Sequence, residues 1–357
     1  MQARSKPRVV IVGAGNIGSY LVPLLARDQE VGELVIVDRD RYEPHNLANQ
    51  DIKPADVGRW KAGVQARRAR GIAPGLEVRV LSKDIERVPW GDLRADVILT
   101  CLDSRRARMF VNLLSRRLGV LWIDAGVGGG GQLVRVSVYP SGADEPCLEC
   151  SWDERDYMLV EQDYPCDGPA GSTAENTPTG GSSSLGALAA ALQATEWRRI
   201  HVGEVATRQD ILFDAESRTS LVSTHRRNPS CRLGDHVPWT IESAIFGPDE
   251  ITLESAFDRW GSAIRIERSP FTTELWCSNC DARHTTLRLT GSLRKRDLRC
   301  PRCGLPMAVP AIALKDRLES ADVPRRHRRR TLTSLGLLPG DIVSAAGPAG
   351  VRHCELL

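Results

Sequence analysis

Nowhere in its 357 residues does this chain run 18 apolar residues in a row, so it has no stretch with the length and character of a membrane-spanning helix. The N-terminus, MQARSKPRVVIVGAG, passes from a few basic residues straight into an apolar strand. The apolar stretch and small-residue cleavage site of a secretory signal are missing, and the expected location is the cytoplasm. An excess of one charge is missing too. Lys and Arg number 48 against 45 Asp and Glu, a formal +3, which is too weak a field to argue for nucleic acid. No internal repeat is visible. What remains is 41% hydrophobic and 26% charged, ordinary for a globular protein, and long enough for one large domain plus one or two small modules.

Ten cysteines are present, six of them in three Cys-x-x-Cys pairs: Cys147 with Cys150, Cys277 with Cys280, and Cys300 with Cys303. In a reducing compartment such pairs read as metal ligands before disulfides. The singletons are Cys101, Cys166, Cys231 and Cys354.

Apolar strands alternate with helical patterns through the first 140 residues. VVIVGAG, ELVIVD, LEVRVL, ADVILTCLD and VLWIDAGV read as strands; VGRWKAGVQARRARGIA and RARMFVNLLSRRLG between them read as helices. This order predicts an α/β fold, a Rossmann-like, mostly parallel sheet with helices on both faces, followed by a small C-terminal zinc ribbon. The expected organisation is one large α/β domain over 1–236 and a connecting segment over 237–270. The ribbon follows over 271–310, then a basic linker and small strand pair over 311–357. Within the first domain, the Gly-, Ser- and Pro-rich stretch 151–183 reads as a long mobile loop. RRHRRR, 325–330, reads as a solvated linker, with a nucleic-acid contact as its alternative.

Gly13, Gly15 and Gly18 form G-x-G-x-x-G between a strand and a helix. Such a turn lets backbone approach phosphate and directs a helix N-terminus at an anion. Asp38, twenty residues on, ends the next strand, where a carboxylate can accept ribose hydroxyls. These features suit NAD and ATP equally. The dense polar run after Asp38 separates them: Asp40, Glu43, His45, Asn46, Asn49 and Gln50, then Lys61, with Asp103 after a later strand. A lysine and an acid converging on a nucleotide suggest phosphate neutralisation and Mg²⁺ binding, which ATP split at its α-phosphate needs and NAD does not.

VVIVGAGNIGSYL, VDRDRYEPHNLANQ, VGRWKA, DVILTCLDSRRARMFVN, the CLEC pair and LGALAAALQATE, in that order, resemble the ubiquitin-activating-enzyme-like superfamily, of the ThiF/MoeB/HesA type. The resemblance covers residues 8 to about 236. It implies adenylation by ATP-Mg of the C-terminal glycine of a ubiquitin-like or sulfur-carrier protein, in a homodimer. Carried over by position, Gly13, Gly15 and Gly18 line the phosphates and Asp38, with Asp40 beside it, holds the nucleoside. Asn46 and Gln50 sit beside the phosphates, Lys61 neutralises them and Asp103 binds Mg²⁺. Arg108 and Asn112 match the family's following helix.

Two departures stand out. The family places an arginine on the phosphates where this chain has Asn49; losing a charge-assisted contact costs about 2 kcal/mol, and Arg59 or Arg105 is the expected substitute. Many members also carry an N-terminal helix whose arginine enters a partner's site, and here six or seven residues precede the first strand. The two other classes open at this point are a nicotinamide-dependent oxidoreductase and a non-catalytic binding module of the same fold.

The resemblance also implies zinc held by two Cys-x-x-Cys pairs. Cys147 and Cys150 match the first. In RRNPSCRLGDH Cys231 fits the second, position 234 is Gly, and His236 is the nearest replacement, ahead of His225. Cys277, Cys280, Cys300 and Cys303 fit a zinc ribbon on spacing alone. Cys166, in the polar loop, matches a cysteine that takes the activated carboxylate as thioester or acyl-persulfide in some members.

Overall fold

The computed structural model describes residues 6–128, 132–161, 182–347 and 350–357. Cys166 lies outside them. Two compact units are present: residues 1–85 with 94–238, and residues 86–93 with 239–357. No described helix is long and apolar enough to cross a membrane.

In the first unit β1 (Arg8–Val12), α1 (Gly18–Ala26), β2 (Glu33–Val37), α2 (Lys61–Ile72) and β3 (Glu77–Leu81) are followed by β4 (Val97–Thr100), α3 (Arg105–Leu118) and β5 (Leu121–Gly128). Then come β6 (Leu133–Tyr139), α4 (Glu154–Glu161), α5 (Ser183–His201), β7 (Gln209–Asp214) and β8 (Thr219–Thr224). One eight-stranded sheet runs β3-β2-β1-β4-β5-β6-β7-β8. The first five strands are parallel and β6 to β8 antiparallel. Val9–Val12 of β1 and Val97–Leu99 of β4 are apolar and buried because helices cover both faces. Strand order reverses at β1, with β2 on one side and β4 on the other, and the crevice beyond that reversal is where open α/β sheets bind ligands.

Local chemistry sets the element ends. Ser104 caps α3 by accepting from Ala107 N, and Gly119, at φ 66°, closes it. The helix read from Val57 starts instead at Lys61, because Gly58 takes φ 83° and holds the preceding residues in a turn. Residues 154–161 form α4, where the sequence reads as the start of a loop; Asp153, accepting from the amides of Arg155 and Asp156, nucleates it.

The second unit contains β9 (Ile241–Ser243), α6 (Leu253–Trp260), β10 (Ala263–Ile266), β11 (Phe271–Trp276), β12 (Arg283–Leu289), β13 (Leu314–Lys315), β14 (Arg317–Glu319), α7 (Arg325–Arg328), β15 (Ile342–Gly347) and β16 (Gly350–Glu355). Its sheets run β14-β10-β15-β16-β9 and β12-β11-β13. The segment read as a connection, 237–270, thus supplies β9, α6 and β10. The C-terminal hairpin β15–β16 pairs with β10 and β9 in the same sheet. Beneath it Arg268 and Asp341 form a buried bidentate pair. Where 325–330 reads as a linker, the chain folds: Arg328 donates to Val323 O and Ser320 O, and Arg330 to Leu287 O. Backbone acceptors brought near by tertiary folding hold these arginines, and residue type alone does not announce them.

Candidate functional site

At the end of β1 the chain turns through Gly13, at φ 95°. A Cβ there would lie 2.6 Å from Cys101 O, and one on Gly18 would lie 2.0 Å from Gly13 O, so these two glycines let strand, turn and helix close on each other. Gly15 differs. A Cβ on it would meet only the Gln50 amide, at 4.0 Å, so the turn stays open above it. α1 has no side-chain cap at its N-terminus; Ser19 N and Tyr20 N bond to Gly15 O and Ile17 O, so what the helix start offers an anion is chiefly its positive dipole end.

Asp38 closes the other side. Its Oδ2 accepts from Ala14 N and its Oδ1 from Asp40 N, both at 2.7 Å. Burial raises its pKa, while those two amides and the charge of Lys61 oppose the rise. Tyr42 braces the turn from below, donating to Ala14 O at 2.7 Å and accepting from Gln65 at 2.8 Å. Lys61, the first residue of α2, is largely buried and lies 3.6 Å from Asp40 Oδ2.

The polar run divides into two roles. Asn46 Oδ1 accepts from Glu43 N at 2.9 Å and caps the 3-10 turn Pro44–Ala48, leaving only its amide N–H₂ for a ligand. Gln50 faces Gly15, held there by Asp51 N donating to Ser19 Oγ at 2.9 Å. Asn49 Oδ1 and Gln50 Oε1 are buried with no hydrogen-bond partner among the described residues. Two buried amide groups left open beside a glycine turn fit a site completed by a polar ligand, and a nucleotide phosphate is accommodated by turning the amides.

Asp103 follows β4 and is exposed. It acts on Arg39, whose pKa rises first through its hydrogen bond to Asp84 and also through the charges of Asp40 and Asp103. Arg39 is therefore a cation at the rim that the sequence reading passed over, although its place between Asp38 and Asp40 marks it. Arg105, one of two expected stand-ins for the missing arginine, is engaged by Asp156 Oδ1 of α4 at 2.6 Å. Arg59 is exposed.

A second group missed from sequence is Asp124, fully buried in β5. It accepts from Thr100 Oγ1 at 2.6 Å, Arg108 Nε at 2.8 Å and Arg135 at 3.2 Å. Arg108 also donates to Leu102 O, so this cluster fixes the loop that carries Asp103. Asp124→Asn leaves two guanidinium groups without their counter-charge, at a cost of about 3 kcal/mol. The expected result in scanning calorimetry is a melting temperature lower by roughly 6–12 °C; an unchanged melt would mean solvent reaches the cluster. Asn112 has a related supporting role. It donates to Glu149 Oε1 and accepts from Leu148 N, both at 3.0 Å, and so holds the Cys147–Cys150 turn.

The structure brings Cys147, Cys150, Cys231 and His236 together, with their ligand atoms all within 4.8 Å of one another. Cys147 Sγ lies 3.6 Å from Cys231 Sγ, and Cys150 Sγ 4.0 Å from His236 Nε2. Sulfurs about 3.8 Å apart are what tetrahedral Zn–S bonds of about 2.3 Å produce; a disulfide needs about 2.05 Å. His236 Nδ1 sits 2.7 Å from Glu145 O, which orients Nε2 inward. Hydrogen bonds from Cys147 and His236 hold the Cys150 thiol far below its usual range, against burial. His225 is elsewhere, 2.7 Å from Asp210.

The second cluster repeats the pattern. Cys277 and Cys303 sulfurs are 3.5 Å apart, those of Cys280 and Cys300 3.6 Å, and all four lie within 4.8 Å. Each knuckle turns on a left-handed residue, Asp281 at φ 53° and Gly304 at φ 75°. The Leu305 amide pulls Cys303 down to about 6, toward the thiolate a metal binds. Both donor sets fit Zn²⁺, which would supply structural cross-linking at each. Cys101, below Gly13, is different: burial pushes its thiol up.

A family model described as the ThiF family matches residues 1–233. The chain is 30% identical over 233 residues to the SAMP-activating enzyme E1 of Haloferax volcanii, covering 63% of this chain and 78% of that enzyme. It is 30% identical over 151 residues to the sulfur carrier protein ThiS adenylyltransferase of Escherichia coli, covering 41% and 59%. To ubiquitin-like modifier-activating enzyme 5 of Xenopus laevis it is 26% identical over 157 residues, and spans only 39% of that protein. Among solved structures, E. coli MccB with AMPCPP and MccA shares the fold at a TM-score of 0.52 and 22% identity, over 64% of this chain and 67% of that one.

Proposed function

This chain belongs to the ThiF family, and from that premise we propose that it adenylates the C-terminal glycine of a ubiquitin-like or sulfur-carrier protein, releasing pyrophosphate. A carboxylate oxygen of the incoming glycine attacks the α-phosphorus of ATP. The bond from that phosphorus to the bridging oxygen breaks, and pyrophosphate leaves. Two anions must meet, so the chain has to hold the triphosphate and reduce its charge.

The glycine turn and the uncapped start of α1 cradle the phosphates, with Gln50 across from Gly15. Asp38 accepts from the ribose. Lys61 exchanges Asp40 for phosphate oxygens and stabilises charge as it develops. Mg²⁺, with Asp103 as its protein ligand, supplies further neutralisation when bound. Arg39, near Asp103, is the cation best placed to offset the arginine replaced by Asn49. Cys166 is the proposed next acceptor: its thiolate attacks the acyl-adenylate carbonyl, a thioester forms and AMP leaves. A homodimer and a cytoplasmic location complete the reading. The observation that carries it is the buried lysine beside an open glycine turn, which hydride transfer does not require.

The test is isotope exchange between pyrophosphate and ATP, using the zinc-loaded chain and a small carrier protein ending in Gly-Gly. Exchange should depend on the carrier and vanish when its last glycine is removed. Tight Mg-ATP binding with no exchange toward any such carrier would support a non-catalytic binding module. NAD bound more tightly than ATP would support the oxidoreductase.

A further inference from the structure

The ribbon and the basic segment after it form a charge island. Residues 271–330 hold fourteen Lys and Arg against six Asp and Glu, whereas the rest of the chain holds 34 against 39. β12 borders the cationic elements on both sides. Arg288 of β12 reaches Asp297 at 3.4 Å, in the loop that carries Arg294 and Lys295. Arg330, just after α7, donates to Leu287 O of β12 at 3.0 Å. Arg294, Lys295, Arg299, Arg302, Lys315 and Arg325 are all exposed, and none has a carboxylate partner among the described residues. Like charges also lie near one another. Burial and then the charge of Arg288 lower the pKa of Arg330, and burial with Arg330 and Arg326 lowers that of His327. A fold that keeps like charges this close, with few acids to offset them, is suited to a polyanion.

On the α7 side of β12, between β12, residues 315–324 and His327, lies a cavity of about 250 Å³. Thr273, Thr285 and Thr286 supply hydroxyls to it, and Leu287 and Val323 supply apolar wall. Lys315, Arg317 and His327 also line it. Of its two acids, Glu319 is engaged by Arg317 at 2.6 Å, and Asp322 is exposed at the rim.

We propose that this face of the C-terminal unit, from the second ribbon knuckle across β12 to α7, binds single-stranded nucleic acid through its phosphate backbone. The small hydroxyl-lined cavity takes one splayed-out nucleotide unit, which a single strand offers and a duplex does not. α7 is only four residues long, too short to read a major groove. The inference does not rest on the adenylation reading.

The experiment is fluorescence anisotropy of the full zinc-loaded chain with a labelled oligouridine of about 20 nucleotides. Six phosphate contacts give a slope of log K against log salt of roughly −4, a loss of about 300-fold between about 50 and 200 mM salt. The triple variant Arg294→Ala, Lys295→Ala, Arg325→Ala should flatten the slope by about 2. Carrier-dependent pyrophosphate exchange, followed in parallel without RNA, reports separately on the other site. The proposal is overturned by an unchanged slope in the triple variant or by no binding at about 50 mM salt. It is also overturned by tighter binding to duplex DNA of equal length, or by binding to an acidic protein only.

Discussion

Lys61→Ala is expected to slow ATP–pyrophosphate exchange by about 10²–10³-fold, the scale of losing one preorganised group that stabilises transition-state charge. The fold should survive, because the partner it leaves behind, Asp40, is 55% exposed and water replaces the ammonium. A loss of about 1 kcal/mol is the corresponding melting result, since the Lys61 stem is largely buried. Lys61→Arg keeps the charge with a different reach and should recover part of the rate. The two kinetic constants separate the possible roles. If Lys61 only helps ATP bind, KM for ATP rises and kcat holds; if it acts on charge that develops at the α-phosphate, kcat falls with kcat/KM. The second pattern is expected, since the ground-state triphosphate already has the glycine turn and the start of α1. Wild-type exchange in Lys61→Ala would remove the physical basis for choosing ATP over NAD, as the glycine turn and Asp38 serve either.

That choice was legible in sequence because each of its parts is local. Gly13 to Gly18 and Asp38 stand at element ends that apolar periodicity marks, Lys61 lies in the first turns of the helix read from Val57, and strand–helix alternation orders these positions along one edge of a parallel sheet. The arrangement around Asp124 was not legible. Its partners, Thr100, Arg108 and Arg135, come from β4, α3 and β6, and nothing in an apolar strand ending WIDAG says which arginines will reach the acid. Asn112 was placed in the family's helix by position, and its contact with the Cys147–Cys150 turn was likewise not legible. The second unit was least legible. Residues 86–93 join it through Gly91 N on Gly340 O and Trp90 stacked on Trp239, a contact spanning some 250 positions. Its strands β9, β10 and β14 are three or four residues long and fall in segments read as connections or linker, with too little alternation to mark them, whereas the C-terminal strand pair was legible. Composition made 325–330 look solvated, and only the carbonyls of Ser320, Val323 and Leu287 show why its arginines fold back.

Stripping metal from the Cys147, Cys150, Cys231 and His236 cluster is expected to unfold the first unit's C-terminal edge and lower its melting temperature by more than 10 °C. Cys147, Cys231 and His236 are all buried, so without a cation thiolates at Cys147 and Cys231 are uncompensated charge in a dry site, and the cluster must protonate or open. The geometry says what would be lost. The turn carrying Cys147 and Cys150 is pinned to α3 through Asn112, and 228–236 returns to it with Gly234, at φ 79°, allowing the bend. A metal at their meeting point closes a loop of more than 80 residues, and removing it restores that loop's freedom to the unfolded chain. Structural zinc contributes about 10–16 kcal/mol in small peptides; here part of that already goes into holding the cysteines, so a smaller but still large fraction should appear as stability. Metal analysis of the purified chain should find about two zinc ions per molecule, one for each cluster. His236→Ala should retain about one, the ribbon's, and melt like the chelated protein in its first unit only. His225→Ala should keep both, because His225 is bound to Asp210. A His236→Ala chain that still holds two ions would place the fourth ligand elsewhere and separate this site from the sequence that proposes it.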